Sequence, residues 1–214
     1  MCSRNNLYEA IVHGDAESAA AAAHALLAAG AAAVAILNAE MVPAMDEVGR
    51  LFECEEYFVP QLLLSARAMK SALDLLRPLL ASSGSRRAGR VAIGTVQGDL
   101  HDIGKNIVSA MLEGAGFEIL DLGVNVPPAR FVEAVGAGAG VVCLSALLTT
   151  TMPAMRATVE ALRTAGLRGR AAILIGGAPV TRRFAEEIGA DAYGANATEA
   201  VALARRLAVS HAQS

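Results

Sequence analysis

Residues 90–108 read Arg-Val-Ala-Ile-Gly-Thr-Val96, Gln, then Gly98-Asp-Leu-His101-Asp-Ile-Gly104-Lys-Asn-Ile-Val108. The first seven are rich in β-branched residues, and the last few open an apolar run at helical spacing. The segment therefore predicts a strand, a turn and a helix, in that order. The turn carries chemistry. His101 can offer a neutral imidazole nitrogen to a metal, and Asp99, two positions earlier, can accept the other ring N–H and so fix tautomer and basicity. Gly104 lets a bulky group come close to the main chain.

Beyond this turn, strand and helix patterns alternate to the end of the chain. Strands are predicted over Arg90–Val96, Phe117–Asp121, Gly140–Leu144, Ala171–Ile175 and Ala192–Tyr193, and helices over Asp102–Glu113, Pro128–Val135, Met152–Ala165, Thr181–Ile188 and Ala197–Ala208. Such units imply an open, parallel, doubly wound sheet with right-handed crossovers. Near-continuous apolar strands such as V-V-C-L and A-A-I-L-I fit burial on both faces. The common order 2-1-3-4-5 puts ligands outside the carboxyl ends, at the switch between strands one and three. Three separated segments then meet on one rim: Asp99 and His101 after strand one, Ser145, Thr149 and Thr151 after strand three, and Gly176 and Gly177 after strand four.

Upstream, residues from about Asn5 to Leu80 read as helices throughout. Asp15 is the expected N-cap of Ala16–Ala29, with Gly30 as its stop. A short helix over Ala32–Asn38 follows. The next begins near Pro43 and carries Met45, Val48, Leu51 and Phe52 on one face. Pro60 opens a long one. Ala81–Gly89 turns small and polar without periodicity and reads as a linker. The expected organisation is a helical bundle over residues 1–80, a linker over 81–89 and an α/β domain over 90–214.

Composition sets the outer bounds. Of 214 residues, 54% are hydrophobic, largely through alanine, and only 4% are aromatic, which suits a helix-rich protein. His24 and Gly30 interrupt the alanine stretch Ala19–Ala33, so it reads as a packed helix and not a bilayer span. No charged-apolar-small leader opens the sequence, and a cytoplasmic protein without a membrane partner is expected. Cys2, Cys54 and Cys143 are far apart and form no C-x-x-C pair, which argues against disulfides and zinc knuckles. A net charge of −3, with no basic run, argues against a nucleic-acid partner. His13, His24 and His211 have no partner in sequence and read as structural or exposed.

Other ligands of this fold leave marks that are missing. No G-x-G-x-x-G follows the first strand, and Gly136-Ala-Gly138-Ala-Gly140 precedes a strand where a dinucleotide site would open a helix. No G-x-x-x-x-G-K-[ST] is present. Asp99 and Asp102 could be forced into an acidic phospho-acceptor pocket, but the segments after strands three and four give it no support.

The D-x-H-x-x-G pattern of Asp99 to Gly104 instead resembles the cobalamin-binding motif of methionine synthase and the corrinoid methyl-carrier families. Three further segments agree in order and placement. Ser145-Ala-Leu147-Leu-Thr149-Thr-Thr151 resembles the S-x-L-x-T segment of those domains, and Ile175-Gly176-Gly177-Ala178 resembles their second glycine signature. Gly189 to Gly194, with Tyr193, looks like their closing segment. Upstream, Leu51 to Gln61 resembles the helical cap that precedes such domains in methionine synthase and in the corrinoid proteins of methanol, methylamine and aryl-ether methyl transfer. The fold implied is an N-terminal helical bundle cap followed by a flavodoxin-like, cobalamin-binding sheet of five parallel strands.

Carried over by position, the resemblance implies cobalamin, as methylcobalamin or a related corrinoid, with its own benzimidazole displaced from cobalt. His101 would be the lower axial ligand of the metal. Asp99 would bond its other nitrogen, and Thr151, where relatives carry a relay serine, would continue the chain of hydrogen bonds. Gly98, Leu100, Asp102, Ile103 and Gly104 would line the cofactor from the first loop. Ser145, Leu147, Thr149, Gly176, Gly177, Ala178, Tyr193 and Gly194 would line it from the others. Phe52 and Val59 match the two apolar residues that cover the reactive face; the second is commonly leucine. From the residues alone, Thr151 reads equally well as a helix cap and Phe52 and Phe58 as bundle core, while a plain turn is the lesser reading of Gly176-Gly177. Asn196 reads as the N-cap of the last helix.

The implied function is that of a methyl carrier, filed under methyltransferases although the chain shows no substrate domain and no zinc-ligand set of its own. It would shuttle a methyl group between a substrate:corrinoid methyltransferase and a second methyltransferase that passes it to tetrahydrofolate or a thiol acceptor, with a reductive activator protein rescuing oxidised cobalt. The alternative is a corrinoid-dependent sensor or regulator. Such proteins usually add a DNA-binding segment, and some cap the upper ligand with tryptophan, of which this chain has none.

Overall fold

Strand β1 (Arg90–Thr95) is the axis of the α/β half of the chain. In a computed structural model describing residues 6–82 and 89–211, β1 pairs with β2 (Glu118–Asp121) on one side and β3 (Val141–Ser145) on the other. Strands β4 (Ala172–Gly176) and β5 (Ala192–Gly194) extend the sheet beyond β3. The order is β2-β1-β3-β4-β5 with every pair parallel, as the strand pattern predicts. Thr95 lies opposite Ser145, Ser145 opposite Gly176, and Gly176 opposite Gly194, so four strands end level at their carboxyl edge.

Helices α6 (Ile103–Gly114), α7 (Pro128–Gly136), α8 (Met152–Thr164) and α9 (Arg182–Ile188) join successive strands, and α10 (Ala197–His211) follows β5. The last runs three residues beyond its predicted end at Ala208. Strand side chains alternate between faces. One set, Val142, Leu144, Ile173 and Ile175, forms a single buried cluster with Phe131 and Val135 of α7, Met155, Val159 and Leu162 of α8, and Ile188 of α9. Asn196 caps α10 as expected, its Oδ1 accepting from the Glu199 N–H at 2.7 Å, while Glu199 Oε2 accepts from the Ala195 N–H.

The chain divides into two compact units, residues 1–87 with 113–116, and residues 88–112 with 117–214. Most of the predicted linker, residues 83–88, lies outside the described residues, as do Cys2 and Asn5. The first unit holds α1 (Asn6–Val12), α2 (Ala16–Ala28), α3 (Ala33–Ile36), α4 (Val42–Glu53) and α5 (Val59–Ser82). Asp15 caps α2 by accepting from the Ser18 N–H at 3.0 Å. The terminal carbonyl of α1, at Val12, accepts from the hydroxyls of Tyr57 at 3.1 Å and Ser65 at 2.9 Å, which ties α5 to the end of α1. Gly14, at φ +75°, is required there: a Cβ would come within 2.6 Å of the Leu64 Cβ.

One expectation fails in this unit. The break predicted between Asn38 and Pro43 is absent, because a π-helical turn over Leu37–Met41 joins α3 directly to α4, with the Val42 N–H reaching back to Leu37 O. Pro43 has no N–H, and its ring crowds the carbonyl four residues back, at Ala39. A locally widened turn relieves that crowding without ending the helix. His13 also has a partner, Glu9, at 3.5 Å on the same helical stretch.

Candidate functional site

Asp99 is the polar centre of the carboxyl rim. Its side chain is fully buried, while that of His101 is 49% exposed. Oδ1 of Asp99 accepts from the His101 main-chain N–H at 3.0 Å and faces the ring Nδ1 at 2.7 Å. Oδ2 accepts from the Leu147 N–H at 2.8 Å and from the Thr151 hydroxyl at 2.7 Å. Burial pulls the Asp99 carboxyl upward, but these donors outweigh it and hold it well below the usual carboxylate range. An ionised carboxylate can only accept, so Nδ1 is the donor to Asp99, and in the neutral imidazole Nε2 keeps its lone pair.

Thr151 occupies the N-cap position of α8, yet its hydroxyl makes no capping bond. It reaches Asp99 Oδ2 at 2.7 Å and Leu148 O at 2.9 Å, so of its two sequence readings the geometry shows the one directed at Asp99.

Large apolar side chains stand exposed on the loops that carry His101 and Leu147. Leu100 is 71% exposed and Ile103 75%, and Leu147 and Leu148 are also exposed across the loop. Large apolar side chains gathered beside a free imidazole nitrogen mark a surface built to be covered. A Cβ added at Gly104 meets nothing within 4 Å, so the space above it is open. Gly177 differs. At φ +128°, a Cβ there would fall 1.9 Å from the Ala146 carbonyl oxygen, so the absence of a side chain is demanded by the protein's own backbone. Gly176 is also close-packed, a Cβ lying 3.1 Å from Gly194 O. Ser145 stands at the end of β3, Thr149 and Ala178 are exposed on the following loops, Asp102 is exposed beside His101, and Tyr193 is half-buried on β5. In the helical unit, Phe52 and Val59 are half-buried and Phe58 is 61% exposed, which removes Phe58 from the bundle core. Between them Glu55 takes a left-handed φ of +59°.

Two further groups at the rim escape a reading of the sequence. Lys105 is buried in the first turn of α6, its Nζ 2.7 and 2.6 Å from the two oxygens of Asp121 at the end of β2. A cation at a helix N-terminus opposes the helix dipole, and that misplacement is the signal that a lysine there has a carboxylate partner. Thr95, fully buried, donates its hydroxyl to His101 O at 2.8 Å.

Among the described residues no three His, Cys, Asp or Glu side chains gather to hold a metal ion. His101 thus fits a metal that brings its other ligands with it, as a macrocycle does. The single free nitrogen, the apolar collar and the open ground over Gly104 fit such a group. No described helix is long and apolar enough to cross a membrane.

Comparison with known proteins agrees with this geometry. Residues 89–202 match the model of a B12 binding domain, and residues 3–77 match a second B12 binding domain model. Dimethylamine corrinoid protein 1 of Methanosarcina acetivorans is 46% identical over 174 residues, 80% of this chain and 82% of that protein. Trimethylamine corrinoid protein 1 of Methanosarcina mazei is 41% identical over 196 residues, 90% and 91% of the two chains. Among solved structures, a cobalamin-binding protein from Desulfitobacterium hafniense DCB-2 superposes with a TM-score of 0.79 at 33% identity, covering 97% of this chain and 99% of that one. The methanol:cobalamin methyltransferase complex of Methanosarcina barkeri gives a TM-score of 0.82 at 28% identity, covering 95% and 78%. A helical B12-binding segment followed by a five-stranded B12-binding sheet, shared over four-fifths or more of its length with such relatives, places this chain in the B12-binding family of corrinoid proteins, with cobalamin or a related corrinoid as its cofactor.

Proposed function

We propose that this chain is a methyl carrier that holds its corrinoid base-off with His101 as the lower axial ligand. The observation that carries the reading is the Asp99–His101–Thr151 arrangement, in which Nδ1 is committed to a buried carboxylate and Nε2 is free beside exposed Leu100 and Ile103. When bound, the corrin cobalt supplies the chemistry, accepting a methyl group from one partner and yielding it to another.

The chain's own residues position and tune that centre. Asp99 orients the imidazole and raises its basicity through Nδ1. Thr151 steadies Asp99 from the other side, and its hydroxyl has a second acceptor in Leu148 O, so the proton it donates can turn away from the carboxylate without being stranded. The Nδ1 proton stays on the ring and is donated to Asp99 Oδ1, and the strength of that hydrogen bond sets how strongly Nε2 donates. Leu100, Ile103, Leu147 and Leu148 exclude water from the ligand face. Gly104 leaves room near the main chain for the cofactor, and Ser145, Thr149, Gly176, Gly177, Ala178, Tyr193 and Gly194 line the path of its nucleotide tail. Phe52 and Val59 are the apolar residues that would cover the reactive face.

The partners in this reading are a substrate:corrinoid methyltransferase, a second methyltransferase for the acceptor, and a reductive activator. The names of the dimethylamine and trimethylamine corrinoid proteins favour a methylated amine as the source of the methyl group. The test is to mix apo-protein with hydroxocobalamin, remove free cofactor and compare the visible spectra of wild type and His101→Ala. Wild type should retain cofactor with a base-off, histidine-ligated spectrum, and His101→Ala should lose that signature. Failure of wild type to retain cofactor would defeat the reading.

A further inference from the structure

Asn125 lies in the loop between β2 and α7 and is one of two non-glycine residues with a left-handed backbone among the described residues, at φ +51°. It grips the ligand turn twice. Its main-chain N–H donates to Asp99 O at 2.9 Å, and its side-chain Oδ1 accepts from the Gly98 N–H at 2.8 Å. Asparagine is among the few residues that hold this φ without much strain, and glycine, which holds it freely, has no acceptor to offer.

The loop bearing Asn125 is itself fixed. Thr95 N–H donates to Gly123 O at 3.0 Å and Val126 N–H to Thr95 O at 2.9 Å. Gly123 N–H donates to Asp121 Oδ1 at 2.8 Å, and Asp121 is held by buried Lys105. Besides the Thr95 hydroxyl on His101 O, two neighbouring loops anchor the His101 turn. The β3–α8 loop holds the Asp99 side chain, and the β2–α7 loop holds the main chain of Gly98 and Asp99. Gly98, at φ +87°, is the pivot of the turn, and the Asn125 amide pins its N–H.

Resting on the axial role of His101 argued above, we propose that Asn125 is a positioning residue for that ligand. By fixing the turn at Gly98 it keeps the imidazole within reach of the metal and sets the balance between histidine-on and histidine-off cofactor. The residue acts through the main chain of the turn and not by touching the metal.

The experiment uses full-length protein labelled with 15N-histidine, loaded with cobalamin and reduced to the cobalt(II) form, and reads the axial-nitrogen splitting by electron paramagnetic resonance. A doublet reports 15N-histidine on cobalt. Its loss reports histidine-off. Asn125→Gly keeps the backbone conformation and the N–H but lacks Oδ1. It should fold with an apo Tm within a few degrees of wild type, retain cofactor, and show a histidine-on to histidine-off ratio lower by roughly three- to tenfold, the worth of one hydrogen bond. Asn125→Asp keeps an acceptor and should preserve the wild-type ratio. The same comparison in an Asp99→Asn background, where the ratio should lie nearer unity, keeps a shift of this size measurable. A wild-type ratio in Asn125→Gly, or an equal defect in Asn125→Asp, overturns the proposal. Absence of the doublet in wild type would instead remove the axial role of His101, and the role of Asn125 with it.

Discussion

Nδ1 of His101 stands 2.7 Å from Oδ1 of Asp99, and the carboxylate is wholly buried while the imidazole is half in solvent. Orientation is therefore set from inside the protein and donation offered outside. In Asp99→Asn the amide can keep one accepting oxygen, but its NH2 group must face either the ring N–H or the Leu147 and Thr151 donors. On the axial role proposed for His101, corrinoid affinity should fall by roughly 10- to 100-fold, the usual effect of removing a partner that orients a metal ligand. Equilibrium dialysis against hydroxocobalamin measures it, and unchanged affinity would show that Asp99 does not orient the ligand.

The same carboxylate gives the apo-protein a signature in acid. Its folded value lies below the unfolded one of about 3.9, so its stabilising contribution is present above that value and is lost as pH falls through the folded value. Denaturant midpoints of wild type should drop more steeply below about pH 4 than those of Asp99→Asn. At neutral pH the variant should be less stable by about 1–3 kcal/mol, because buried donors are left without an acceptor. Parallel pH profiles for the two proteins would contradict this.

Two glycines of the rim should respond in opposite ways. Gly177→Ala drives a Cβ to 1.9 Å from the Ala146 oxygen at a φ of +128°, and should cost roughly 3 kcal/mol or more or abolish soluble expression. Gly104→Ala adds a methyl in open space within the first turn of α6. The apo-protein should melt at the same temperature or slightly higher, while cofactor retention should decline. Thermal melts of both apo-variants, followed by loading of Gly104→Ala, separate the backbone role from the cofactor role.

Cys143 sits buried in the centre of the sheet, and burial pushes its thiol up to about 12. In a Cys2→Ser/Cys54→Ser protein no thiol should react with a disulfide reagent at pH 8, and one should react after denaturation. The unfolded thiol ionises near 8.5, so this group's contribution to stability is intact below that pH and is lost as pH rises toward its folded value. A native thiol that reacts at once would mean that β3 opens on the timescale of the assay.

Much of this was legible in the sequence because it is periodic or local. The strand order follows from five βα units, and the Asp99–His101 pairing from a spacing of two on a strand-to-helix turn. For Thr151, local pattern and family resemblance point different ways. A threonine before a helix is a cap by every local rule, and only the approach of the third-strand loop to the first turns its hydroxyl to Asp99. Asn125 and Lys105 were missed for the same reason, since their partners lie 27 and 16 residues away across the sheet edge. The continuous helical path through residues 33–53 is not legible in the sequence because a proline normally marks a helix boundary, whereas here a widened turn accommodates it.

The row Thr95, Ser145, Gly176, Gly194 divides the chain into what can vary and what cannot. Sliding any one strand by a single residue would turn its inward side chains outward and pull its loop off the common edge. Lengthening a loop past that row only reshapes the cradle. Redesign of the cofactor cradle therefore has its freedom beyond that line, with the strands beneath left at their present lengths.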